Sequence, residues 1–334
     1  RPAQAVGDTD VPFVEAIEDP ATEVFVVEAS SFRLAHSARF EPRVAGWLNF
    51  APDHLDAHAT IEDYEAAKAS IWANLGAGSV AVVNLDDPVV AAHGAALSVD
   101  TIDLVGFSLD LAPGSKTPAG RLVSWGVGSI DDHDHLIGPD GPLLPIDQLA
   151  RRQPHDVANA LATAALAIGA GASAAGVAEA LRTFAGLPHR LEPIGTWGEV
   201  AWYDDSKATV PHATVAAVGG FDSVVLIAGG YPKGLSFEPL RSTVPPVRTV
   251  VAIGDAAAEV EGVFGDLVPV QVATSMDQAI ELADQAARPG DAVVLSPACA
   301  SFDWYRNYNE RGDDFQRRVQ GRFGPGEDKE VVTS

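Results

Sequence analysis

Short apolar runs recur along this chain at intervals long enough to hold a helix. They are Glu23-Val24-Phe25-Val26-Val27-Glu28, Ser79 to Asn84, Val200-Ala201-Trp202-Tyr203, Val224 to Ala228, Val247 to Ile253 and Ala292 to Leu295. Each is strand-sized, and the segments between them read as helices. That rhythm predicts α/β architecture, with mostly parallel sheets joined by crossover helices. Residues 60 to 75, TIEDYEAAKASIWANL, illustrate the helical half of the pattern. Thr60 is placed to cap, acidic residues fill the first turn, and Ile61, Tyr64, Lys68, Ile71 and Leu75 share a face. From about 100 to 147 the chain turns rich in Gly, Pro and Asp, in short alternating pieces that predict small β-strands. An Ala-rich helical pair follows, near 154–169 and 173–185.

A hinge interrupts the rhythm at GLPHRLE, residues 186 to 192, after which strands begin afresh. With 334 residues the chain exceeds one ordinary core, so two domains are expected: residues 1–187 and 188–323, with 324–334 a disordered tail. No apolar run reaches bilayer-spanning length, and residues 1 to 20 lack the signature of a signal peptide. Cys299 is the single cysteine, which rules out an intrachain disulfide and any cysteine-based zinc site. These features predict a soluble cytoplasmic protein. The formal charge is −24, from 46 acidic against 22 basic residues. Such a field repels nucleic acid and anionic membranes, so neither is expected as a partner. An anionic small molecule would need local devices instead: Gly-rich backbone, Mg²⁺ or a few placed cations.

Polar clusters stand at the ends of the predicted strands. Glu28 leads into Ala29-Ser30-Ser31-Phe32. Trp47 to Phe50 leads into Ala51-Pro52-Asp53-His54-Leu55-Asp56, whose oxygen and imidazole groups suit Mg²⁺ or Mn²⁺. Asp204-Asp205-Ser206-Lys207-Ala208-Thr209 follows another strand, and Gly229-Gly230-Tyr231-Pro232-Lys233-Gly234 a further one. After Leu295 comes SPACASFDWYRNYNERGDDF, a loop of small residues and then a polar, aromatic stretch. Taken alone, that stretch reads as an ordinary capped helix with Ser301 as its cap. Ligands of open α/β sheets bind beyond the carboxyl ends of the strands, so recurrence of such clusters predicts one composite site.

The blocks GLPHR, DDSKAT, GG-x-x-KG and SPACASFD…NERGDDF, with EASSF, NFAPDHLDAH and YEAAKASIW upstream, resemble the Mur ligases, in particular the D-glutamate-adding branch. The likeness runs from about residue 23 to 323. It implies a Mur ligase central domain, here an incomplete, mostly parallel sheet with helices, followed by a Rossmann-like C-terminal α/β domain. It implies ATP-dependent amide formation through an acyl phosphate, with UDP-N-acetylmuramoyl-L-alanine and D-glutamate as substrates, Mg²⁺ or Mn²⁺ as cofactor, and a monomer. By the same resemblance Glu28, His54 and a carbamylated Lys68 are the metal ligands. Lys68, His54 and Lys207 serve the chemistry, His155, Asn159, Arg190 and Asp205 meet ATP, and Ser30 meets the UDP-sugar acid. Lys233, Thr209, Ser301, Phe302 and Tyr308 receive D-glutamate.

The sequence departs from the family pattern at named positions. Val210 replaces an amide after DDSKAT, Asp156 replaces one beside His155, and Tyr308 stands where the family often has Phe, a mild change. Asp8 and Asp10 stand in a Gly-Asn-Ile-Gly position, where two carboxylates would repel a UDP-sugar acid. No G-x-x-x-x-G-K-[ST] phosphate loop occurs in the 334 residues. In the family it lies upstream, with a nucleotide-binding N-terminal domain. The expectation is therefore a ligase chain that is inactive by itself, with sheet surface left uncovered. The alternatives are a non-catalytic remnant that binds nucleotide or glutamate, or another amino-acid ligase of the superfamily.

Overall fold

The computed structural model describes residues 1–8, 11–54 and 57–324; Asp10 and all of the predicted disordered tail except Gly324 lie outside them. Strands β1 (Ala3–Gly7) and β2 (Val24–Glu28) pair in parallel as a sheet of two. A six-stranded sheet in the order β3-β4-β5-β6-β7-β8 follows, from β3 (Val44–Trp47), β4 (Val80–Asn84), β5 (Asp103–Phe107), β6 (Val123–Ile130), β7 (His133–Gly138) and β8 (Gly141–Pro145). Its first four strands are parallel, and the last two close as antiparallel hairpins. The later part of the Gly- and Pro-rich stretch, β6 to β8, thus builds a β-meander, because its turns are too tight for crossover helices.

Among the helices of this part, α1 (Phe13–Ala16) and α2 (Ser31–Ala35) are short. Helix α3 (Ile61–Ala69) is capped by Thr60, whose hydroxyl accepts from the Asp63 N–H, and runs on as a 3₁₀ turn over Ser70–Trp72. Helices α4 (Pro88–Ala96), α5 (Pro154–Gly169) and α6 (Ala174–Thr183) complete it. Val82, Phe107, Trp125 and Leu136 pack with Leu161 and Ala165 of α5 on one face of the sheet, and Trp47, Trp72, Ala81 and Val83 form the core of the other. Val26 on β2 is 61% exposed, an apolar strand residue left facing solvent.

The second sheet has the order β13-β12-β11-β14-β10-β9: β9 (Glu192–Trp197), β10 (Val200–Asp204), β11 (Val224–Gly229), β12 (Val247–Ile253), β13 (Val270–Ala273) and β14 (Ala292–Leu295). All neighbours are parallel except β9, which joins β10 antiparallel. The continuous apolar runs are explained by burial on both faces. Val224, Leu226 and Ala228 point into one core, and Val225 and Ile227 into the other. Helices α7 (Pro211–Val218), α8 (Ala257–Phe264), α9 (Met276–Ala286) and α10 (Tyr308–Phe323) lie between or after the strands. By contact the chain divides into Arg1–Leu149 with Val157–Arg182, and Ala150–Asp156 with Thr183–Ser334.

Candidate functional site

In the second unit, three segments leave neighbouring strand ends and are tied to one another. Gly229 ends β11 and Gly230 follows it, with φ of 120° and 137°, backbone that L side chains rarely adopt. A Cβ on Gly230 would stand 2.5 Å from the Ala300 carbonyl oxygen. Glycine here permits the Tyr231 N–H to donate to that oxygen at 2.9 Å, and the Gly229 N–H to reach the Pro297 carbonyl at 2.8 Å. The SPACAS loop after β14 in turn holds Ala298 at φ 58°, a left-handed conformation in a residue other than glycine. Ser301 is buried and starts no helix: α10 begins at Tyr308, and the cap is Asn307, whose side-chain oxygen accepts from the Glu310 N–H. The reading of Ser301 as a helix cap is therefore corrected; five residues of loop separate it from the cap, freeing its hydroxyl for other use.

Arg311, within the NERGDDF block but given no role by its sequence, joins these loops. Its side chain is 2% exposed. Nε donates to Ser206 Oγ at 2.9 Å, Nη2 to the carbonyls of Ser206 (2.8 Å) and Cys299 (3.0 Å), and Nη1 to that of Ala300 (3.1 Å). Burial lowers its pKa to about 10. The sequence signal was the ERG that trails the block, since a charge inside an otherwise small-residue loop-and-helix junction needs several acceptors. The Ser206 hydroxyl donates onward to the Tyr308 carbonyl at 2.8 Å.

The remaining residues of DDSKAT and GLPHR are interlocked beneath this. His189 Nδ1 lies 2.7 Å from Asp204 Oδ2, and the Gln316 amide donates to both Asp204 and Glu192. The hydrogen bond to Asp204 raises the His189 pKa against the effect of burial. Asp205 accepts from the Ser296 hydroxyl at 2.7 Å and the Leu191 N–H at 3.1 Å, while burial pushes its pKa up to about 7. Lys207 Nζ donates to the Tyr308 hydroxyl at 2.7 Å, and Lys233 Nζ to Thr209 Oγ1 at 3.3 Å. Phe302 is 67% exposed and meets Tyr231 edge-on. Lys207, Thr209, Lys233, Ser301, Phe302 and Tyr308 thus all lie on the loops and helix start that follow these strands.

In the first unit, Glu28 ends β2 and is exposed. His54 takes φ 56° and stands 3.3 Å from Asp53 Oδ2. The Lys68 ammonium sits 5.1 Å over the Tyr64 ring, and burial lowers its pKa while Asp53 opposes the change. Glu28 and His54 belong to no group of three His, Cys, Asp or Glu ligands within 4.8 Å among the described residues; such a group is His189, Glu192 and Asp204. The internal hydrogen bonds of that trio already account for its closeness. The donor set of Glu28, His54 and Lys68 fits a hard cation in its chemistry: a carboxylate, an imidazole, and an amine that burial makes less basic and so more open to carbamylation.

Ser30 caps α2, its hydroxyl accepting from the Arg33 N–H at 3.4 Å. Asp8 does not stand as a bare carboxylate there, because Arg33 Nε donates to it at 2.6 Å. Burial alone would raise its pKa, but hydrogen bonds from Arg33 and Ser30 hold it below the usual range. Asp156 is likewise paired with Arg151 at 2.8 Å. Its neighbour His155 loses basicity through burial. His155 falls in the second unit with Arg190 and Asp205, whereas Asn159 falls in the first.

Residues 10–136 match the Mur ligase middle domain, and residues 189–299 the Mur ligase glutamate ligase domain. The UDP-N-acetylmuramoylalanine–D-glutamate ligase of Salinibacter ruber is 40% identical over 329 residues, 96% of this chain and 69% of the relative. That of Symbiobacterium thermophilum is 38% identical over 323 residues, 94% of this chain and 68% of the relative. The chain belongs to the UDP-N-acetylmuramoylalanine–D-glutamate ligase family of the Mur ligases. It spans about two thirds of the length of these relatives. Two solved structures share the fold at low identity. The UDP-N-acetylmuramoylalanyl-D-glutamyl-2,6-diaminopimelate–D-alanyl-D-alanyl ligase of Acinetobacter baumannii gives a TM-score of 0.59 at 17% identity, covering 90% of this chain and 65% of that one. The bifunctional folylpolyglutamate synthase/dihydrofolate synthase of Yersinia pestis, solved with AMPPNP and Mn, gives 0.59 at 18%, covering 92% and 68%. No helix among the described residues is long and apolar enough to cross a membrane.

Proposed function

We propose that this chain carries the D-glutamate-receiving and part of the ATP-handling machinery for adding D-glutamate to UDP-N-acetylmuramoyl-L-alanine in peptidoglycan precursor synthesis, in the cytoplasm and as a monomer. The observation that carries it is the placement of Lys207, Thr209, Lys233 and Ser301 on loops that Arg311 and the glycine pair tie together. Two ammonium groups and two hydroxyls there suit a dicarboxylic amino acid. In this reading Lys233, Thr209, Ser301, Phe302 and Tyr308 bind D-glutamate, with Lys207 between it and the reacting centre. His155, Asn159, Arg190 and Asp205 contact ATP, and Ser30 the UDP-sugar acid. Mg²⁺, held by Glu28, His54 and carbamylated Lys68, would offset the repulsion between ATP and the acceptor carboxylate. Lys207 would bring a fixed positive charge to the same region without any proton transfer.

The 334 residues hold no phosphate loop to cradle the β- and γ-phosphates. We therefore expect the chain by itself to bind D-glutamate in preference to L-glutamate and D-alanine, and to release no ADP with both substrates, ATP and Mg²⁺. Calorimetric titration and a coupled ADP assay test the two parts separately. ADP release would overturn the inactivity, and failure to distinguish D-glutamate from the other amino acids would overturn the substrate. The intact mass of the gene product from its own cells bears on the remnant alternative, which gains if that mass is near 34.8 kDa.

A further inference from the structure

Among 46 carboxylate side chains, none of the described ones pairs with Lys207. Its ammonium is half-buried and has the Tyr308 hydroxyl as its hydrogen-bond partner at 2.7 Å, with the Tyr308 ring centroid at 4.5 Å. In a protein of charge −24 a lysine reaches a carboxylate easily, so an ammonium held by a phenol is one kept from doing so. The phenol is itself held. The Tyr308 carbonyl accepts from Ser206, which Arg311 fixes, and the His189 ring stands edge-on to it at 6.3 Å. The Ser206 hydroxyl thus holds the Tyr308 backbone, and residues 207 and 308 meet through their side chains.

We infer that Tyr308 is a positioning residue for Lys207: its hydroxyl accepts one ammonium N–H and turns the other two, together with its own O–H, toward a carboxylate of the incoming amino acid. The hydrogen-bond inventory supports this. A lysine ammonium has three donors and no acceptor, and a phenol accepts and donates at once. One N–H is used, and the phenolic O–H meets no acceptor among the described residues. The pair therefore offers three donors and one full charge in a small volume, which matches the two oxygens of a carboxylate. A phenylalanine would keep the ring contact with the ammonium but leave the ammonium to rotate freely. The hydroxyl at this position is then a determinant of affinity, which makes the exchange of Phe for Tyr more than a mild change.

This rests on the D-glutamate reading above, and the test separates the two. Tyr308→Phe removes one oxygen atom and keeps the packing, so the variant is expected to unfold at a temperature close to that of the parent chain. D-glutamate should bind the variant about 10-fold or more weakly, as expected for loss of a hydrogen bond to a charged group. In the unliganded chain labelled with ¹⁵N-lysine, the Lys207 ammonium should give a slowly exchanging NMR signal that Tyr308→Phe abolishes. An unchanged dissociation constant would overturn the role in binding, and an unchanged Lys207 signal would overturn the positioning. If the parent chain binds no D-glutamate, the substrate reading falls and the role in binding falls with it. The ammonium signal still decides whether the hydroxyl holds Lys207.

Discussion

His189 and Asp204 form a buried pair: the imidazole Nδ1 lies 2.7 Å from the carboxylate Oδ2, with the residues 6% and 0% exposed. The pair fixes GLPHR to the first residue of DDSKAT. Because the hydrogen bond raises the folded-state pKa of His189, the charged imidazole stabilises the fold. That contribution is complete below the unfolded value near 6.5 and is lost as pH rises through the higher folded value. Asp205 tilts the balance the same way. Burial lifts its pKa from 3.8 to about 7, so folding favours its neutral form and stability falls as pH rises from about 4 to 7. Urea denaturation of the parent chain from pH 6 to 9 should show declining stability, and His189→Asn should flatten the part above about pH 7, where Asp205 no longer contributes the main slope. A slope there that survives the substitution would exclude His189 as its source.

Gly312 stands beneath this pair for a steric reason. A Cβ on it would lie 2.2 Å from His189 Nδ1 and 2.6 Å from Asp204 Oδ2, distances no relaxed contact allows. Gly312→Ala should improve helix propensity in α10 by roughly 1 kcal/mol and still destabilise, because displacing the buried pair costs more than that. We expect a net loss of at least ~2 kcal/mol by denaturant titration, whereas Gly321→Ala, on the same helix with open space around its Cβ, should be neutral or stabilising. Equal effects of the two substitutions would show that propensity, not crowding, decides.

Much of the fold was legible in the sequence because apolar runs of four to seven residues have few other fates. The strands at Val247–Ile253 and Ala292–Leu295 appear at their expected bounds, and that at Val224–Gly229 within a residue of them. The helix expected over 60–75 shortens to Ile61–Ala69 and a 3₁₀ turn, a difference confined to its end. Site residues were harder. Ser301 looked like a cap because Ser is a good one and a helix follows, but the chain keeps five further residues in loop before Asn307 takes that role. Arg311 stood in view in the NERGDDF block, but its role did not, since its partners are carbonyls of Ser206, Cys299 and Ala300, and a motif does not say which backbone acceptors a side chain will reach. Asp8 looked like a repulsive intrusion, and only the geometry shows that Arg33, 25 positions on, takes up its charge.

Arg311 gives the third prediction. Its guanidinium bonds three carbonyls and one hydroxyl and no carboxylate, so its worth is that of several charge-assisted hydrogen bonds in a site with little water. Arg311→Met fills similar volume but leaves the Ser206, Cys299 and Ala300 carbonyls without that donor. The loss should be about 3–5 kcal/mol in denaturant titration, with hydrogen exchange speeding first around residues 206 and 299–301. Arg311→Lys, which restores charge but not the planar fork, should recover only a minor part. Full recovery by lysine would mean that charge alone matters and that the fork geometry does not.

Lys68 separates a buried amine from a buried salt bridge. Burial lowers its pKa, its ammonium faces the Tyr64 ring at 5.1 Å, and Asp53 opposes the shift. A lysine so placed is neutral more often than a surface lysine, and the neutral amine is the form that adds CO₂. In ¹³C-bicarbonate the parent chain should therefore show a carbamate carbon resonance that Lys68→Met removes and Lys116→Met leaves intact. The sign of the pH effect follows from the same chemistry: carbamate should increase as pH rises toward the amine pKa and decline below it. The methionine variant should fold at least as well as the parent, because removing a charge from a half-buried position relieves a desolvation cost that the aromatic contact only partly offsets. Strong destabilisation by Lys68→Met, with no carbamate signal in the parent, would mark Lys68 as a structural cation held by Tyr64 and Asp53 and would remove it from the proposed metal-ligand set.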